Sequence, residues 1–188
     1  MNKKLVAAAA VITFIVIILA AVAGTFLVTA PTGEITYTEP ASAVRASLGK
    51  TATSGTIALR LNGITDASDP ATSAAWAKLN QESGYYNMSL APYPGDRYLV
   101  ANVTVTNAQP THVPFSYAAF ALLTPNNTAY YAGYAVCSSG CSAQALQNQT
   151  LNAGFSSSLY VLFSVPAGTQ AQKLVYTTSN PVIVLSTA

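Results

Sequence analysis

Alternation with a period of two constrains this chain more than any other feature. Leu159, Val161, Phe163 and Val165 take one side of a run whose other side holds Tyr160, Leu162 and Ser164. Strands place successive side chains on opposite faces, so this pattern fits a half-buried strand and not a helix. The pattern recurs. Ile57, Leu59 and Leu61 oppose Arg60 and Asn62, and Leu99, Ala101, Val103 and Val105 oppose Tyr98, Val100, Asn102 and Thr104. Tyr130, Ala132, Tyr134 and Val136 form another run, and Leu174–Tyr176 and Val182–Leu185 close the chain. Phe115 and Tyr117 are in phase, as are Phe120 and Leu122, but the phase slips between the pairs, which predicts a bulge or a strand switch. Seven or more short strands within about 140 residues, parted by Pro, Gly and Asn turns, predict an all-β, two-sheet β-sandwich over residues 48–188. Leu59, Leu99, Val103, Val105, Phe120, Leu122, Val161, Phe163 and Val165 are its expected core. One stretch breaks the pattern. Asp69 and Pro70 suit a helix N-cap and first position, and Ala71, Ala75, Trp76 and Leu79 share a helical face, so a short helix is expected to be inserted there.

The N-terminus speaks for export. Lys3 and Lys4 precede an uncharged run from Leu5 to Ala30. A positive start, an apolar stretch over Leu5–Leu19 and the small-residue site Ala21-Val22-Ala23 fit a signal peptide, residues 1–23, cleaved after Ala23. The run also suffices for an uncleaved membrane anchor over residues 5–27, since about 20 apolar residues cross a bilayer. Lysines on its N-terminal side would leave the rest of the chain outside the cell. A third reading is a pilin-like helix: Val11–Ile18 is similar to that of archaeal pilins and archaellins. Residues 24–47 then form an extended arm or linker, with Ile35 and Tyr37 alternating against polar neighbours.

Charge excludes several functions. Only 7% of residues are charged, and the net charge is +2, against about 25% charged in an ordinary soluble domain. Lys3 and Lys4 carry the surplus; beyond them six basic residues balance six acidic ones. Nucleic-acid binding, which needs a basic patch against phosphates, is not expected. Asp66 and Asp69 fall short of the six to eight oxygens of a calcium site and read as turn and cap residues. His112, the single histidine, lies between Pro110 and Pro114 and reads as an exposed loop residue. There is no G-x-S-x-G elbow and no phosphate loop. No catalytic residue, metal site or cofactor is expected. The 11 tyrosines are explained first by core packing and sheet propensity.

Cys137 and Cys141 flank a three-residue loop and are expected to form a disulfide, in keeping with an oxidising compartment. Asn87, Asn102, Asn126 and Asn148 each begin an N-x-[ST] sequon. Export makes them candidate glycosylation sites, and Asn102 faces away from the expected core.

The blocks Gly95-Asp96-Arg97-Tyr98-Leu99-Val100 and Val103-Thr104-Val105-Thr106-Asn107 resemble those of a telokin-like family of secreted Ig-like domains of unknown function. So do Phe120–Leu123, Leu151-Asn152-Ala153-Gly154, Phe163–Gly168 and Leu174-Val175-Tyr176, which together span roughly residues 48–186. The resemblance implies an exported, often tethered domain without known activity. A surface rich in Ser, Thr, Tyr, Ala and Asn also resembles the surface filament proteins of thermoacidophilic archaea. From the arm follows an expected function as a non-enzymatic filament subunit. Residues 24–38, with Phe26 and Val28 on one side, would leave their own domain and add a donor strand to a neighbouring copy, head to tail. Fifteen extended residues reach about 50 Å. Secreted archaeal thread-like filaments and some pili resemble this plan. The alternative is a membrane-anchored Ig-like domain that binds a surface-layer or other envelope protein.

Overall fold

The computed structural model describes residues 35–67, 92, 94–137 and 149–188, with only the backbone of Gln149. Residues 34–188 form one unit. It is a two-sheet β-sandwich. In chain order the strands are β1 (Val44–Ala46), β2 (Thr51–Ser54), β3 (Ile57–Asp66), β4 (Asp96–Asn107), β5 (Val113–Phe115), β6 (Phe120–Leu123), β7 (Ala129–Tyr131), β8 (Tyr134–Cys137), β9 (Gln149–Leu151), β10 (Ser156–Pro166), β11 (Lys173–Tyr176) and β12 (Ile183–Ser186). One sheet has the order β1-β12-β11-β6-β7, the other β2-β3-β4-β10-β8, and β5 and β9 pair as a small third sheet. The expected inserted helix at 69–79 lies outside the described residues; the helical element among them is a 3-10 turn, Tyr117–Ala119.

The period-two faces meet as their alternation requires. All nine expected core residues are buried: Leu99 is 5% exposed and the other eight 0%. They join Leu174, Tyr176, Ile183 and Leu185 from the opposite sheet in one apolar cluster. Each fully buried Leu, Val or Phe contributes about 1.5–3 kcal/mol relative to exposure. At one end Phe115 stacks on Tyr176 with ring centroids 5.5 Å apart, and Phe120 leans on the same ring at 4.9 Å. Burial there pushes the Tyr176 hydroxyl above its ordinary pKa.

The phase slip between Tyr117 and Phe120 is a strand switch. β5 pairs with β9, the 3-10 turn follows, and β6 enters the first sheet beside β11. A second switch divides the run 130–136 that reads as one strand in the sequence. β7 pairs with β6, whereas β8 pairs with β10 in the other sheet. Ala135 and Cys137 therefore face the main core, and Tyr134 and Val136 face outward into a second cluster with Val100 and Leu162. Gly95 and Gly168 hold positive φ angles of 92° and 86°, which glycine adopts without steric cost. They mark the shared end of β4 and β10, where the Ala167 N–H donates to the Gly95 carbonyl at 2.8 Å.

The arm is corrected by the structure. Residues 35–47, assigned to a linker from the sequence, belong to the sandwich. Val44, Arg45 and Ala46 form β1, which pairs in parallel with Ile183, Val184 and Leu185 of β12. Ahead of β1, Thr36 bridges to Thr128 beside the β6–β7 turn. Residues 35–38 thus pair within their own domain, which leaves 24–34 of the expected donor segment.

Candidate functional site

The strap formed by residues 35–43 is the feature on which the chain's attachment to anything N-terminal of it depends. β11 and β12 each hold an unbroken apolar run, Leu174–Tyr176 and Ile183–Leu185, with Leu174, Tyr176, Ile183 and Leu185 inside and Val175 and Val184 outside. An outward valine needs cover, because exposed apolar area is unfavourable. The strap supplies it. Ala43 is buried with Val175, Val184, Leu123 and Ala129, and Tyr37 packs against the same cluster. Covering Tyr37 raises its hydroxyl pKa, mainly by desolvation, with Tyr131 and Glu39 adding to the effect.

Backbone bonds fix both ends. The Tyr37 N–H donates to the Asn127 carbonyl at 2.8 Å, and the Ala129 N–H to the Ile35 carbonyl at 2.9 Å. At the far end the Val44 N–H donates to the Val182 carbonyl at 2.8 Å. Leu123 and Ser186 both pair with Lys173. The strap therefore starts where β12 finishes and ends where β12 begins.

Glu39 pins the middle. Its carboxylate accepts from Lys173 Nζ on β11 at 2.9 Å and from Arg45 Nε on β1 at 2.6 Å, while its side chain is only 15% exposed. The Lys173 hydrogen bond is the chief reason its pKa lies below the ordinary carboxylate value; partial desolvation opposes it, and Arg45 assists. Arg45 also donates to the carbonyls of Ala43 and Pro40 at 3.0 and 3.3 Å, closing the turn before β1.

The other expected positions are dispersed. Asn126 is exposed in the β6–β7 turn, next to Asn127 at φ 59°. Asn102 is half-buried on the outer face of β4, as expected, and its Oδ1 accepts from Asn62 Nδ2 at 3.0 Å. Cys137 ends β8, is 1% exposed, and is not free. Asn87, Asn148, Cys141, Phe26 and Val28 lie outside the described residues. His112 is exposed in the loop before β5. Asp66 pairs with Arg97 Nη1 at 2.6 Å, and Asp96 accepts from Ser164 Oγ at 2.9 Å. Arg97 also donates to the Thr169 carbonyl at 2.5 Å, at the wall of a cavity of about 510 Å³ that Leu48, Gly63, Ile64 and Leu99 help to line. Among the described residues no group of three His, Cys, Asp or Glu is placed to hold a metal, and no helix is long and apolar enough to cross a membrane.

Asn107 went unnoticed as a site in the sequence, beyond its place in a strand block. It is fully buried, and its amide binds the carbonyls of Thr111, Leu151 and Asn152. An Asn ending an alternating strand on the core-facing parity was the available signal.

Two sheets of this order with a core strand pair β4–β10 define a class of Ig-like sandwich domains. The chain belongs to the family described as a domain of unknown function, DUF4352, which matches residues 46–183. Neither a telokin-like family nor archaeal filament proteins are among the matches; what they support is this family and a β-sandwich fold. No curated protein matches the chain. Among solved structures it is similar to an uncharacterised β-sandwich protein of Clostridium difficile 630, at 10% identity and a TM-score of 0.46, covering 84% of this chain and 99% of that one. It is also similar to the yjhA protein of Bacillus subtilis, at 14% identity and a TM-score of 0.44, covering 76% and 98%.

Proposed function

We propose that this chain is an exported, non-enzymatic Ig-like domain, held at the cell surface by its N-terminal segment and presented to an envelope partner such as a surface-layer protein. The strap is the observation that carries this reading. The segment joining the domain to residues 1–34 is bonded at both ends and pinned by Glu39 to its own sheet, as suits a tether that hands its domain outward. On this reading Cys137 and Cys141 are bridged, and Asn102 and Asn126 are open to glycosylation. Intact mass of native protein, with alkylation before and after reduction, checks both; two thiols alkylated without reduction would exclude the bridge.

A second reading keeps the head-to-tail filament, with residues 24–34, including Phe26 and Val28, as the donor strand. What favours it is the β7 edge. β7 is the outermost described strand of its sheet; the strap occupies its beginning, where the Ala129 N–H donates to Ile35, and beyond that Tyr131 is 47% exposed, a position at which an added strand can pair. The likeness of composition to archaeal filament proteins belongs to this reading.

Cysteines placed at Thr36 and Thr128, which bridge to one another, test whether the strap itself keeps to its own chain, since bridged residues sit at disulfide spacing. Isotopically light and heavy chains are mixed, oxidised and digested. The tether reading expects light–light and heavy–heavy cross-links only. Mixed cross-links would mean that this segment crosses between copies.

A further inference from the structure

We propose that β1 and β12 form a shear clamp that lets the domain carry tension arriving through its N-terminal segment. This rests on the tether reading above. The observation behind it is the parallel pairing of the first described strand with the last. Val44, Arg45 and Ala46 lie beside Ile183, Val184 and Leu185 in the same direction, and the Val44 N–H adds a bond to the Val182 carbonyl. The other ladders among the described strands are antiparallel.

Direction decides how such a pair fails. A pull on the start of β1, against the finishing end of β12, slides the strands past one another. Every bond of the pair is then loaded together, and all must break within one event. A pull on the finishing ends of both strands opens the same bonds one after another. The covalent path from an N-terminal tether enters at the start of β1, so tension toward the finishing end of β12 takes the first form.

The strap adds a stage before the clamp. It crosses from the finishing end of β12 to its beginning, so a pull on Ile35 first peels Tyr37 from Asn127 and then meets Glu39. Its ion pairs to Lys173 and Arg45 hold the middle. Freeing residues 35–43 lengthens the tether by up to about 30 Å, and the domain turns so that the load falls along β1 and β12. The core remains closed throughout, because none of the strap's apolar contacts belongs to the cluster between the sheets.

The test is single-molecule force spectroscopy on the full chain in detergent, with click-chemistry handles at two pairs of exposed positions. Ile35 with Ala188 loads the pair in shear; Ser47 with Ala188 peels it. Forced unfolding reports the barrier along the pulled direction. The expected result is a main rupture force at least about twofold higher on the Ile35 axis, since several hydrogen bonds resist at once. A smaller step is expected before it, and Glu39→Gln should weaken that step alone. Val44→Pro removes the amide that donates to Val182 and should lower the Ile35-axis force toward the Ser47-axis value. Should that variant fail to fold, the two axes on the otherwise unaltered chain still decide. Equal forces on the two axes, or a higher force on the Ser47 axis, overturn the clamp. Attachment to the membrane is read separately by fractionation, so loss of the clamp and loss of the tether reading are distinguishable.

Discussion

Asn107 offers the sharpest test of how the loops are held to the sandwich. Its Nδ2 lies 2.8 Å from the Thr111 carbonyl, 3.0 Å from that of Asn152 and 3.1 Å from that of Leu151, while its Oδ1 accepts from the Gln109 N–H at 3.0 Å. An amide has two N–H donors, so three acceptors share two protons. The side chain therefore makes about three bonds' worth of interaction, each contributing about 1 kcal/mol net. Asn107→Ala leaves these partners without it at a position that is 0% exposed and should cost about 3–4 kcal/mol. Asn107→Asp keeps the shape but offers a carboxylate to three carbonyl oxygens. It should be the worse of the two at neutral pH, despite being the closer isostere. Urea unfolding measures both. With an m-value of about 1–3 kcal/mol/M, the midpoint for Asn107→Ala should fall by about 1–4 M. A loss under about 0.5 kcal/mol, typical of an inconsequential surface change, or an Asp variant more stable than the Ala variant at neutral pH, would refute this reasoning.

Phe163→Ala, at the centre of β10, should cost about 3–5 kcal/mol in the same assay through lost burial and the cavity left behind; a near-neutral result would contradict the packing between sheets. Glu39 sets a pH dependence. Its folded pKa is depressed below the ordinary 4.5, so its contribution is present above that value and is lost as pH falls through the folded pKa. Glu39→Gln should therefore be less stable than the unaltered chain near neutrality, and the two should converge in acid. A stability gap that persists at the lowest pH would show that the ion pairs are not its source.

The alternating runs made the core legible because burial of one face imposes the period directly on residues such as Leu59, Val103 and Phe163. Chain reversals were legible only in part. Nothing in Tyr130–Val136 marks the crossing between sheets except Gly133, since the period of two continues across it. The strap was read as a free arm for a related reason. Ile35 and Tyr37 alternate as any extended segment does, and alternation does not say to which molecule a strand is bonded. The missing signal lay elsewhere, in the unbroken apolar runs Leu174–Tyr176 and Ile183–Leu185, which require cover on their outer face as well as their inner one. Lys173 lies 134 residues from Glu39, and only the fold brings it to the Glu39–Arg45 pair.

On the proposed tether reading, residues 35–43 stay with their own domain while the segment before them holds the chain at the cell surface. Native cells washed at high salt and then shaved with protease test it most directly, with released and retained fragments identified by mass. The chain should stay in the membrane fraction until shaving, and the released fragment should be folded, monomeric and begin near residue 35. Recovery before shaving of a polymer whose subunits begin at Gly24 would contradict it.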